Sequence, residues 1–208
     1  MSTRITKLVE RCQKIVGVND ASVTPVDIYD GLNDVQRQIS QRLLCLEATS
    51  TITTDSNGVA SEPTGFYRLK RIVMPDNTYI FPKEVDIVEY DVLEHLLFTN
   101  IATRVQYYKR WNGSLTFLPN PGVQTWAIYY YKNPTTTISA SDDPEIPEYM
   151  DEALFYGTIA QILLYKNTPE AFAASKMYRN MHDREMKTLI ERWRATKTNS
   201  NTIYYHDI

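Results

Sequence analysis

Apolar residues open the chain at helical spacing. Ile5, Leu8, Val9, Cys12, Ile15 and Val16 recur at steps of three and four, and Gly17 followed by Val18-Asn19-Asp20 ends the run. Thr24-Pro25-Val26-Asp27 then reads as a helix start: a threonine to accept from free amides, a proline suited to the first turn and a carboxylate three residues past the cap. Ile28, Leu32, Val35, Ile39, Leu43 and Leu46 follow at steps of four and three and predict a second helix. Asn33, Gln36, Arg37 and Gln41 take its opposite face, which predicts one packed side and one side facing water or a partner.

Beyond Ala48 the period changes. Thr49 to Thr54 is β-branched, Asn57-Gly58 marks a turn, and Phe66 to Met74 alternates before Pro75-Asp76-Asn77 turns into Thr78 to Phe81, so a small antiparallel sheet begins here. Helical spacing returns over 82–100 through Val85, Val88, Val92 and Leu96, with Asp86, Glu89, Asp91 and Glu94 on the exposed side. Three strands are predicted next, over 104–110, 114–118 and 124–132, as a meander joined by Asn112-Gly113 and by Pro119-Asn120-Pro121-Gly122. Tyr107, Tyr108, Trp111, Phe117, Trp126, Tyr129, Tyr130 and Tyr131 crowd this lobe. They either fill a thin sheet packed against helices or, at Trp111, Tyr129 and Tyr131, offer an aromatic contact surface to another protein.

The carboxy-terminal third carries the strongest pattern. Asp142, Asp143, Glu145, Glu148, Asp151 and Glu152 precede a helix that should begin near Pro147, where carboxylates oppose the positive end of the helix dipole. From Ala153 to Tyr165 this helix is apolar on nearly every face, which predicts cover on all sides, some of it from a neighbouring subunit. Thr168-Pro169-Glu170 starts another helix that continues to about Lys197, with Ala171, Ala174, Tyr178, Met181 or His182, Leu189 and Trp193 as its apolar stripe. Over 176–197 seven bases stand against three acids, a net charge of +4, whereas 142–152 holds six acids and no base. These opposite charges make Glu148, Asp151, Glu152, Arg184, Lys187 and Arg192 candidates for contacts between subunits.

Composition narrows the function. At 208 residues and 43% hydrophobic content the chain can bury roughly 70% of its unfolded surface. The expected organisation is one domain over 1–197, with a helical core from 1–48 and 147–197 and a β-rich insertion over 49–146, followed by an extended tail over 198–208. The expected fold class is α+β: a mainly α-helical bundle with a carboxy-terminal helical hairpin and an inserted small antiparallel β lobe. A net charge of −3 argues against a protein whose main work is gripping nucleic acid, because phosphate neutralisation needs clustered bases. Cys12 and Cys45, each inside a predicted helix, read as buried reduced thiols. The amino terminus lacks the apolar core of a secretory signal, and no run approaches the roughly 20 residues that span a bilayer. Asn112-Gly113-Ser114 is therefore read as a hairpin turn, not a glycosylation site.

No phosphate-cradling glycine loop or paired-cysteine metal motif is present. His95, His182 and His206 are scattered over different elements, and the acids over 86–94 read as the solvated face of a helix, so no catalytic residue, metal or cofactor is assigned. The expectation is a protein that is not an enzyme.

The order of elements resembles that of the head-to-tail adaptor proteins of tailed bacteriophages. The resemblance rests on an acidic, proline-containing lead-in to a helix with Ala153, Leu154, Gly157 and Ala160 in its core, followed by a charged helix with periodic aromatics. It implies a homo-oligomeric ring of twelve subunits in the virion neck, assembled in the host cytoplasm, bound beneath the portal protein and meeting a tail or nozzle protein. Double-stranded DNA would pass through without specific binding, and no membrane is involved. The polar tail, ending in Ile203, Tyr204, Tyr205 and Ile208, is the candidate for docking on the portal or another partner. A cellular interaction or regulatory domain without catalysis is the alternative.

Overall fold

The computed structural model describes residues 3–16, 23–74, 77–97 and 104–201. The chain divides into two compact units, one made of Met1–Cys45 with Thr136–Ile208 and the other of Leu46–Thr135. Five helices are found among the described residues: α1 (Arg4–Val16), α2 (Pro25–Leu43), α3 (Ile87–Leu97), α4 (Asp151–Tyr165) and α5 (Pro169–Asn201).

The first unit is helical, and its helices start where the sequence puts caps. The Thr24 hydroxyl accepts from the Asp27 amide at 3.3 Å while the Asp27 carboxylate accepts from the Thr24 amide at 2.6 Å, a reciprocal cap that opens α2 with Pro25 in its first turn. Ile28, Leu32, Val35, Ile39 and Leu43 are buried as their spacing predicts. The helix ends at Leu43, with Leu44 in a left-handed conformation, so Cys45 and Leu46 lie beyond it. Both thiols are free, and burial pushes them up, Cys12 to about 12 and Cys45 to about 11. A 3-10 turn, Glu148–Met150, leads into α4, and the Thr168 hydroxyl accepts from the Ala171 amide at 3.2 Å to start α5.

The cover that α4 requires comes from its own chain. Packed against α1, α2 and α5, it buries Ala153, Leu154, Phe155, Gly157, Ile159, Ala160, Ile162 and Leu163. The expectation that a neighbouring subunit helps to seal this helix is therefore corrected: of its large apolar side chains only Leu164 and Tyr165, in the last turn, stay exposed. Polar groups lock the hairpin. Ser175 Oγ donates to the Ala160 carbonyl at 2.7 Å, and His182 Nδ1 stands 2.8 Å from the Ala153 carbonyl as donor. Gly157 marks the closest approach, since a Cβ there would stand 2.7 Å from Val35 Cγ1 and 2.9 Å from His182 Nδ1.

The second unit overturns the expected fold class. It holds two four-stranded sheets, so the described residues are α+β with five helices and two sheets, not a mainly helical bundle with a small β lobe. The strands are β1 (Glu47–Thr53), β2 (Val59–Ser61), β3 (Phe66–Val73), β4 (Tyr79–Ile80), β5 (Lys83–Glu84), β6 (Tyr107–Trp111), β7 (Ser114–Leu118) and β8 (Thr125–Lys132), in sheet orders β1-β8-β3-β4 and β2-β7-β6-β5. All pairings are antiparallel except β5 with β6. The predicted meander fails at its last step: β6 and β7 form the hairpin, with Asn112 and Gly113 at φ 48° and 74°, but β8 pairs with β1 and β3 in the other sheet. The predicted helix over 82–100 shrinks to α3, because Lys83–Glu84 pairs alongside β6.

Aromatic volume explains why two sheets form where one was expected. Ile52, Phe66, Leu69, Ile72, Trp126 and Ile128 from one sheet meet Ala60, Tyr108, Leu115 and Phe117 from the other in a single core. Phe117 meets Trp126 edge-on, ring centroids 5.4 Å apart. The Tyr108 hydroxyl accepts from the Leu69 amide at 3.2 Å, where the β3 register shifts, and donates to Glu84 at 2.8 Å. Burial first, then Glu84, drives its pKa well above the ordinary tyrosine value.

Gly157→Ala should destabilise the helical unit. Overpacking costs about 1–3 kcal/mol, against which better helix propensity gains at most ~1 kcal/mol. Urea unfolding of the parent, the two single variants and the Gly157→Ala/Val35→Ala pair checks this, since Val35→Ala should cost less in the Gly157→Ala background, where the added methyl group crowds the valine.

Candidate functional site

The acidic lead-in is stitched to α1 within the same unit. Arg4 Nη1 donates to the Pro144 and Ile146 carbonyls at 3.0 and 2.9 Å, and its Nε and Nη2 grip the Asp151 carboxylate. Asp143 accepts from the Ile5 amide at 2.8 Å, giving α1 the carboxylate its own first turn lacks. One turn pair further along, Arg11 meets Glu152 at 2.8 Å and stands 4.1 Å from the Phe155 ring centroid. The hydrogen bond from Arg11 holds the Glu152 carboxyl below its ordinary value. The α2 face expected to meet water holds the rest of the segment: Asn33 pairs with both the amide and carbonyl of Ile138, and buried Gln36 accepts from the Glu145 amide at 2.7 Å.

Of the residues proposed for contacts between subunits, then, Asp151 and Glu152 find basic partners in their own chain. Glu148, Arg184, Lys187 and Arg192 lie exposed, the last three along α5. The aromatic surface divides likewise. Trp111 is 63% exposed at the β6–β7 hairpin, the Tyr129 ring has Arg71 over it at 4.2 Å, and Tyr131 is buried, which removes it from any contact surface. Ile203, Tyr204, Tyr205 and Ile208 lie outside the described residues, as does His206.

Sequence reading missed two features. Arg4 and Arg11 stand seven residues apart, one face of α1, a spacing that signals their shared role. Exposed Tyr165, Phe172 and Met177 gather around the turn between α4 and α5, the last two off the expected stripe. A cleft of about 370 Å³ lies among α2, α4 and α5, lined by Gln38, Arg42, Arg179, His182 and Asp183. Among the described residues, no group of three or more His, Cys, Asp and Glu is placed to hold a metal ion, and no helix is long and apolar enough to cross a membrane.

The SU10 adaptor protein family matches residues 3–203. The chain belongs to the SU10 adaptor protein family. No curated protein matches it. Family membership bears out the resemblance to phage head-to-tail adaptors and makes the protein a structural component of a bacteriophage.

Arg4→Leu should cost about 2–4 kcal/mol, because it leaves a largely buried carboxylate and two carbonyls without their donor. Arg4→Lys should recover only part of that, a point charge replacing a planar fork; urea midpoints decide both. Acid should expose the second ion pair. The lowered Glu152 pKa means that its stabilisation is present above the ordinary value of 4.5 and lost as pH falls through the folded value. An Arg11→Leu variant, compared with the parent by thermal melts at pH 6 and pH 3 (roughly either side of that window), should lose less stability on acidification.

Proposed function

We propose that copies of this chain form a ring, dodecameric as the resemblance implies, that joins the portal protein to tail or nozzle proteins and continues the DNA channel. The observation that carries the reading is the adaptor family match, which spans the helical frame and both sheets. Residues 1–197 supply the body of each subunit, and because α5 carries on to Asn201 only the residues past it are left for a tail. Such a subunit assembles in the host cytoplasm and ends in the virion neck.

Physical features support each part. Adaptors in a ring join through unlike surfaces, which needs two complementary exposed faces on one chain. The α5 helix has one of them, with Lys176, Arg184, Lys187 and Arg192 exposed. Exposed Trp111 and Glu148 are further contact points. The net charge of −3 suits a channel wall that lets DNA pass, since dense phosphate contacts would hold the duplex in place. In the tail, Ile203, Tyr204, Tyr205 and Ile208 supply apolar anchors behind a polar spacer and are assigned to portal docking.

Truncation after Asn199 tests the docking role. The truncated chain should keep the parent's circular dichroism and melting temperature while losing co-sedimentation with portal protein. Unchanged co-sedimentation would remove the tail from the interface, and rings absent from electron micrographs of parent chain mixed with portal would remove the ring.

A further inference from the structure

In the second unit, α3 turns its apolar residues the wrong way for a core helix. Tyr90 and Leu93 point inward, packed with Val85, Tyr107 and Leu118. The ridge Val88, Val92 and Leu96, one turn apart, is 74%, 57% and 58% exposed. Glu89 and Asp91 flank it, His95 stands beside it and Glu94 falls on the opposite side, and the helix contains no lysine or arginine. Lys83 pairs with Glu89 at 2.9 Å and Lys109 stands 3.9 Å from Asp91, whereas Glu94 has no ion pair among the described residues. Singly exposed apolar residues are ordinary, but a ridge of three with an acidic border has the anatomy of a contact site.

The complementary surface stands on α5. Its buried side is Ser175, Met186 and Leu189, and the 3.6-residue repeat places Lys176, Met177, Arg184 and Lys187 on the side away from them. Met177 is 48% exposed, and the Arg184 side chain is 72% exposed with only its neighbour Glu185 nearby, at 3.9 Å. Lys176 and Lys187 make no ion pair among the described residues. A basic face with Met177 at its amino-terminal end thus answers an apolar ridge with acidic borders, over similar lengths: Val88 to Leu96 spans ~12 Å of helix and Met177 to Lys187 ~15 Å at 1.5 Å per residue.

We infer that the α3 ridge of one copy docks on the outer, basic face of α5 of a second copy. Val88, Val92 and Leu96 meet Met177 and the alkyl stems of the bases, and Glu89 and Asp91 meet Arg184 and Lys187. This rests on the ring reading above and gives it a subunit contact. It also replaces the acidic lead-in as the partner of α5, because Arg4 and Arg11 each hold Asp151 and Glu152 through two guanidinium nitrogens, whereas Lys83 and Lys109 reach Glu89 and Asp91 through one contact each. The contact joins unlike faces, so it propagates from copy to copy.

The test uses two full-length variants, Glu89→Lys/Asp91→Lys and Arg184→Glu/Lys187→Glu, each altering exposed residues only. Self-association is followed by sedimentation velocity, with and without portal protein. Each variant alone should associate about tenfold more weakly or worse, since like charges then face each other. An equimolar mixture of the two should recover association, because the unchanged α5 of the first variant meets the unchanged α3 of the second, and the two reversed faces are again opposite in charge. The recovery should fade as salt rises toward 1 M, where screening shortens to about 3 Å. Parent-like association by either variant alone would overturn the contact and leave the ring standing. Loss in both variants without recovery in the mixture would also overturn it, assigning the two faces to different partners such as portal and tail protein. A parent chain that stays monomeric at every concentration and on portal would overturn the ring reading itself.

Discussion

Everything in the helical unit leans on the encirclement of α4. A helix apolar on all faces is tolerable in water only if every face finds a neighbour, and here α1, α2 and α5 supply them. Close packing sets the tolerances: Gly157 lets α2 and α5 approach to distances at which a methyl group would collide with Val35 and His182. With that axis filled, the outer sides of α2 and α5 are released for other duties. The outer side of α2 anchors the loop over 136–146, and the outer side of α5 displays charge.

The second unit solves a different problem. Its strands are short, several of two or three residues, and carry large aromatic side chains. One sheet face cannot bury Tyr108, Phe117, Trp126 and Tyr130 together, but two sheets facing each other can, at the usual separation of ~10 Å. The Tyr108 hydroxyl links the sheets and satisfies an amide left over at the β3 irregularity. Polar atoms of a buried tyrosine thus repair a defect in the ladder.

Local chemistry was legible in the sequence wherever the deciding partner lies within a few residues. Thr24 with Asp27, Thr168 with Pro169, and Asn112 with Gly113 each announced their structures. Long-range choices were not. Alternation identifies β8 as a strand but does not say that it leaves the β6–β7 hairpin to pair with β1 and β3, because register depends on which core accepts Trp126. The helical period of Val88, Val92 and Leu96 read as a core stripe, yet these residues face outward while Tyr90 carries the packing. Likewise the acids over 142–152 were legible as a cluster, but Arg4 and Arg11, about 140 residues away in sequence, decide where they point. Family membership was legible because it resides in the order of elements, which survives these errors of topology.

The division of the chain has a consequence for its birth on the ribosome. The β-rich unit is one continuous stretch, Leu46–Thr135, whereas the helical unit is built from both ends of the polypeptide. During synthesis α1 and α2 emerge with their apolar stripes bare and must wait for α4, more than a hundred residues later, while the sheets between can close as soon as Thr135 has cleared the exit tunnel. The nascent helices are therefore the stage at which a chaperone has most to shield, and the last stitches are those of α5 to α4, Ser175 to the Ala160 carbonyl and His182 to that of Ala153.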